Sequence, residues 1–74
     1  MAFYVYHRAS KIVVMMSSTE PDIYNIADFD VVENPNELDG PGLEPPKVIV
    51  SGNLRNATED ELAGYNVGEL IGNV

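Results

Sequence analysis

Residues 1–16, MAFYVYHRASKIVVMM, hold two apolar runs, Ala2–His7 and Ile12–Met16, on either side of the polar tetrad Arg8-Ala9-Ser10-Lys11. Both runs are rich in aromatic and β-branched residues, which fit a pleated, half-buried surface. A gap of four residues between them suits a hairpin loop built around a type I turn. Strands are therefore expected near 2–7 and 11–17. Period-2 alternation puts Phe3, Val5 and His7 on one face of the first strand and Ala2, Tyr4 and Tyr6 on the other. In the second strand it sets Ile12, Val14 and Met16 against Val13 and Met15. Neither face is polar, so this hairpin needs cover on both.

C-terminal to the hairpin, Ser17–Asp22 is a polar break in which Pro21 turns Glu20 away from helical geometry. Ile23–Ala27 fits either one helical turn or an extended linker. Phe29–Glu33 reads as a short strand whose flanking acids suit a sheet edge, because charge discourages pairing with a foreign strand. Asn34–Pro46 carries Pro35, Pro41, Pro45 and Pro46 with the turn dipeptides Asp39-Gly40 and Pro41-Gly42, and reads as a connector. Lys47–Ser51 and Leu54–Ala57 form a second hairpin across Gly52-Asn53, a pair that supplies the positive φ of a primed turn. Thr58-Glu59-Asp60-Glu61 is a capping box, followed by a short helix to about Ala63 that Gly64 ends. In Tyr65–Val74, Gly68 and Gly72 each weaken a helix, which leaves room for no more than a brief turn at Val67–Ile71.

The expected fold class is a small β-rich α+β domain spanning 1–74. Its parts are a hairpin at 1–19, an acidic connector at 20–46 with an edge strand at 29–33, a second hairpin at 47–57, and one short C-terminal helix with a tail at 58–74.

A chain of 74 residues buries only roughly 60% of the surface its unfolded form exposes, and generally depends on disulfides, a metal or association. With no cysteine and one histidine, disulfides, thiolate metal sites and multi-histidine sites are excluded, and association is the staple left. One helix and one further hairpin cover only one face of the first hairpin. The other face is then expected to meet a partner through Phe3, Tyr4, Val5, Tyr6, Ile12, Val13, Val14, Met15 and Met16. Tyr24 and Tyr65, with Met1, add to this amphipathic supply.

The net charge of −8 is unevenly placed. Residues 1–19 hold Arg8 and Lys11 and no acid. Residues 20–46 hold Glu20, Asp22, Asp28, Asp30, Glu33, Glu37, Asp39 and Glu44 and no base. Such a field opposes nucleic acid and anionic membrane and suits a basic protein surface. The start of the chain lacks the uninterrupted apolar core of a signal peptide, and no run approaches a membrane span, so synthesis in the cytoplasm is expected.

No catalytic, metal or cofactor site is expected, and no small-molecule ligand. Asp28, Asp30 and Glu33 are the nearest thing to a carboxylate cluster, but Glu33 stands where a calcium-binding loop of the EF-hand type needs glycine. His7 has Ser10, Ser17 and Ser18 nearby in sequence without the framing of a nucleophile turn, and is expected to bond to backbone or water.

The leading FYVYH strand, the returning KIVVMMSS, and VIVSGNLRNATEDELAGY make the chain similar to small structural proteins of tailed bacteriophages. The resemblance covers Phe3–Ser18 and Val48–Tyr65. It implies a non-enzymatic virion component of tail, head or accessory type, acting on copies of itself or another virion protein. The absence of a heptad region departs from fibre shafts. The alternative from the charge pattern is a small acidic inhibitor that mimics nucleic acid and blocks a DNA-binding host enzyme.

Overall fold

A computed structural model describes residues 2–74, so Met1 lies outside the described residues. The fold is β-rich α+β. The elements are β1 (Phe3–His7), β2 (Val13–Ser17), β3 (Phe29–Glu33), β4 (Asn36–Glu37), β5 (Lys47–Val50), β6 (Asn53–Asn56), α1 (Glu59–Leu62) and α2 (Val67–Gly72). They form two three-stranded sheets, β2-β1-β3 and β4-β6-β5. β3 takes the edge position its acids suggested, antiparallel to β1 with Val5 opposite Val31.

The first hairpin closes over Arg8–Lys11. The His7 N–H donates to the Ile12 carbonyl at 2.8 Å and the Lys11 N–H to the His7 carbonyl at 2.7 Å. Lys11 takes a left-handed φ of 67° to complete the turn. From there the chain bends into the second sheet. Ile12 bridges Val48, and the Ile49 N–H donates to the Lys11 carbonyl at 3.0 Å. The two sheets thus meet at a corner made by the end of the first loop.

Strict alternation fails in β2. Val5 faces Met15 while Tyr6 faces Val13, which leaves Val14 as an extra residue in a β-bulge. The bulge sorts the apolar side chains onto two sides. Tyr4 and Val13 pack with Ile49 and Leu54 of the second sheet. Val5, Val14 and Phe29 form a second cluster, joined by Met15, Ile23, Leu70 and Val74. Each face of the central strand therefore has its own core.

The second hairpin turns one residue earlier than the expected Gly52-Asn53. Ser51 and Gly52 carry positive φ values of 53° and 77°, and Asn53 pairs with Val50. This register sets Ile49 directly opposite Leu54, an apolar cross-strand pair inside the first core. A Gly52-Asn53 turn would set Ile49 opposite Asn56 instead.

α1 begins with both bonds of the capping box. The Glu61 N–H donates to Thr58 Oγ1 at 3.2 Å, and the Thr58 N–H to Glu61 Oε1 at 2.9 Å. The helix ends at Leu62, one residue short of the expected end, with Gly64 at φ +83° beyond it. The single expected C-terminal helix is corrected to two. α2 forms despite Gly68 and Gly72 because Asn66 caps it and Leu70 packs on the second core. That contact outweighs a propensity cost of about 1 kcal/mol per glycine.

The connector is also more built than its composition suggested. β4 runs parallel to β6, and the Tyr4 hydroxyl donates to Glu37 at 3.1 Å while accepting the Gly42 N–H at 3.3 Å. Burial pushes the Tyr4 hydroxyl pKa up, partly offset by the Gly42 N–H, while Glu37 pushes it further up. Lys47, only 2% exposed, donates from Nζ to the Asp39 carbonyl and to Asn56 Oδ1. Asp39 in turn accepts the Asn56 N–H at 2.8 Å.

Candidate interaction surface

Five of the nine residues expected at an interface are core. Tyr4, Val5, Ile12, Val13 and Val14 are all buried within this one chain. The expectation that one hairpin face stays open is corrected, because the second sheet covers one face and Ile23 with α2 covers the other. Phe3, Tyr6 and Met15 are half-buried, and Met16 is 46% exposed. Tyr6 sits 3.4 Å from Asp30, and burial followed by the Asp30 charge pushes its hydroxyl pKa up.

The groups with chemical potential are engaged in the fold. Ser10 lies 2.9 Å from His7 Nδ1 through its Oγ, and its N–H donates to the same nitrogen at 3.3 Å. Because Nδ1 accepts, the Ser10 hydroxyl is the donor, and its oxygen takes the Ile12 N–H at 3.2 Å. The pair locks the hairpin loop. The His7 ring stands edge-on to Phe29 and Tyr65, at centroid distances of 5.2 and 6.0 Å. Among the described residues no carboxylate bonds that ring to orient it as a base. Asp28 accepts from Asn25, Asp30 pairs with Arg8 at 3.1 Å, and Glu33 is exposed. The three carboxylates do not converge, and no metal-binding group of three or more occurs among the described residues.

The most exposed large apolar side chains among the described residues lie elsewhere. Tyr24 is 99% exposed and Ile26 68% exposed, on the loop between β2 and β3. This loop is pinned at several points. Arg8 donates from Nε and Nη2 to the Ile26 carbonyl, at 3.2 and 3.1 Å, while its Nη1 holds Asp30. Asn25 reaches Asp28 and the Asn73 carbonyl, both at 3.2 Å, and its own carbonyl accepts the Phe29 N–H at 3.1 Å. Ile23 anchors the base in the second core. The fixed backbone holds Tyr24 and Ile26 outward.

A cleft of about 460 Å³ opens on the other flank of α2. Val13 and Val14 form its floor, Leu43, Glu44 and Pro45-Pro46 one wall, and Val67 with Ile71 the other. Spacing of four residues puts Val67 and Ile71 on one side of α2, while Leu70 points into the core. Ile71 is 52% exposed.

Most of the positive side chains among the described residues are engaged, so the unpaired charge near these features is acidic. Arg8 is paired with Asp30 and Arg55 with Glu61, the latter through two 2.7 Å bonds. Lys47 is buried. Among the described residues Lys11 is the remaining lysine or arginine, exposed and 5.9 Å from the centre of the Tyr6 ring. The Arg55 guanidinium and the Thr58 N–H hold the Glu61 carboxyl down to about 2. Sequence reading counted Tyr24 in the amphipathic supply but did not single out the loop that presents it, and it missed Ile26 and the burial of Lys47. The Ile23–Ala27 segment was ambiguous, and its exposure depends on Arg8 and Asn25 contacts that no local pattern encodes. No helix among the described residues is long and apolar enough to cross a membrane, which leaves strand-built spans unaddressed. The chain matches no family model, and neither curated proteins nor solved structures show significant similarity to it.

Proposed function

We propose that this chain is a non-enzymatic structural or adaptor protein that works by contact with another protein, as a component of a tailed-phage particle. The observation that carries the contact reading is the pinned loop with Tyr24 and Ile26 facing water. Large apolar side chains on a pre-ordered loop cost little further entropy on binding, and tyrosine is among the residues that dominate interface energies. The placement in a virion rests on the resemblance of Phe3–Ser18 and Val48–Tyr65 to phage structural proteins. The test is quantitative mass spectrometry of particles purified from cells that express the chain. A fixed copy number per particle, reduced by Tyr24→Ser with Ile26→Ser, is the expected result. Particles free of the chain would overturn the virion placement.

A second reading has one observation in its favour. Among the described residues, three of the four lysines and arginines are paired or buried, so the unpaired charge at the surface is mainly acidic, as a nucleic-acid mimic requires. It predicts that the chain lowers the activity of a DNA-binding enzyme and competes with DNA for it.

A further inference from the structure

The cleft between β2, the 43–46 segment and α2 is distinct from the Tyr24 loop and has its own chemistry. We infer that it receives an extended segment of a partner protein in which an apolar side chain is flanked by lysine or arginine. This inference rests on the reading that the chain works by protein contact, and it names the partner's chemistry at a second place.

Three observations converge on that occupant. The lining is aliphatic from both sides, with Leu43 and Ile71 partly exposed at the mouth, so the guest must bring apolar surface. Glu44 is an exposed carboxylate in the wall and makes no ion pair among the described residues, while every cation but Lys11 is paired or buried. A guest with a neighbouring positive charge is therefore favoured, and a fatty-acid or other anionic guest is opposed. The floor residues Val13 and Val14 begin β2, the outer strand of its sheet. β1 pairs on one side of β2, and on the other side only Ile12, just before it, is bridged to another strand. A guest entering the cleft in extended form would run along this free edge and add main-chain hydrogen bonds to its side-chain anchor. At about 460 Å³ the space takes a few side chains.

A second copy of this chain is a poor guest. Its surface carries the same acidic excess, and among its described residues Lys11 is the one exposed, unpaired lysine or arginine that could answer Glu44.

The probe is a displayed library of random linear peptides, selected against the folded full chain. Enriched peptides should carry an aliphatic residue or phenylalanine within two positions of lysine or arginine. A synthetic copy of one should bind less tightly as salt rises. Its affinity should drop by at least about tenfold on Ile71→Asp or Glu44→Lys and stay unchanged on Tyr24→Ser. Ile71 and Glu44 are surface positions, and unchanged circular dichroism would show that the variants fold. In amide NMR, titration should shift the signals of Val14–Ser17 more than those of β6. The inference is overturned if no peptide is enriched, or if enriched peptides lack basic residues. It is equally overturned if binding ignores Ile71→Asp, follows Tyr24 instead, or gives way to a dimer that Ile71→Asp dissolves. Those outcomes leave the particle measurement untouched, so failure of the cleft and failure of the proposed function are separable.

Discussion

Replacing Lys47 by alanine and by methionine separates what its buried stem does from what its ammonium does. Both variants lose the donor to Asn56 Oδ1 and the Asp39 carbonyl. Each orphaned acceptor costs about 1–3 kcal/mol, and removing a buried charge returns a desolvation term of several kcal/mol. These effects oppose one another and are common to both variants. What differs is the stem, which is 2% exposed in the native chain. Alanine deletes three methylenes that methionine replaces almost volume for volume. At about 0.8 kcal/mol each, with a cavity contribution, alanine should be about 2–3 kcal/mol less stable than methionine. A chain of 74 residues has a total stability of roughly 4–11 kcal/mol, so the gap is a large share of it. Urea melts read by circular dichroism should place the two midpoints about 2–3 M apart, given a slope of about 1 kcal/mol per molar. Hydrogen exchange supplies the second reading. Methionine should speed exchange at Leu38, whose N–H donates to the Leu54 carbonyl at 2.9 Å, and at Asn56, bonded to Asp39. Coincident midpoints would refute the packed stem. Unchanged protection at Leu38 and Asn56 in the methionine variant would refute the claim that the ammonium tethers the connector.

Glu61 has its carboxyl pKa depressed from 4.5 to about 2 by Arg55 and the Thr58 N–H. The stability it contributes is present above pH about 4.5 and is lost as pH falls from there through about 2. Thermal melts of Glu61→Gln should therefore lie below wild type at pH 7 and converge with it near pH 2. Phe29→Ala empties the centre of the second core and should cost about 3–5 kcal/mol, measured by urea denaturation; a cost under about 1 kcal/mol would show that this core is not packed. Gly68→Ala should raise stability by about 0.5–1 kcal/mol, since a Cβ there meets only Asn66 Oδ1 at 3.4 Å. A lower melting temperature for that variant would mean α2 is not helical at Gly68.

The parts of the fold written in local chemistry were legible. The tetrad Arg8–Lys11 and the box Thr58–Glu61 bond within themselves, the strand Phe29–Glu33 carries its acids at a sheet edge, and each stands where its residues indicate. The parts decided at a distance were not. The bulge at Val14 answers to cores on both sides of β1, and no alternation rule anticipates it. α2 exists because Leu70 finds Val5, Val14 and Phe29, which lie far away in sequence. The turn at Ser51-Gly52 follows from the Ile49–Leu54 pair, although Gly52-Asn53 has the better local chemistry. At the candidate surface, the apolar content pointed to the N-terminal hairpin. Covering both faces of β1 consumed most of it and left Tyr24, Ile26 and the cleft among the accessible apolar features.

The position of α2 along the chain has a consequence for how the protein folds. Both hairpins precede this helix and pair within themselves, so they can form before it docks, while the Val5, Val14 and Phe29 side remains wet. In that interval the chain exposes an apolar sheet face to which other copies can stick. The acids of residues 20–46 belong to every copy. Copies that have reached this stage therefore repel one another while they are most prone to associate.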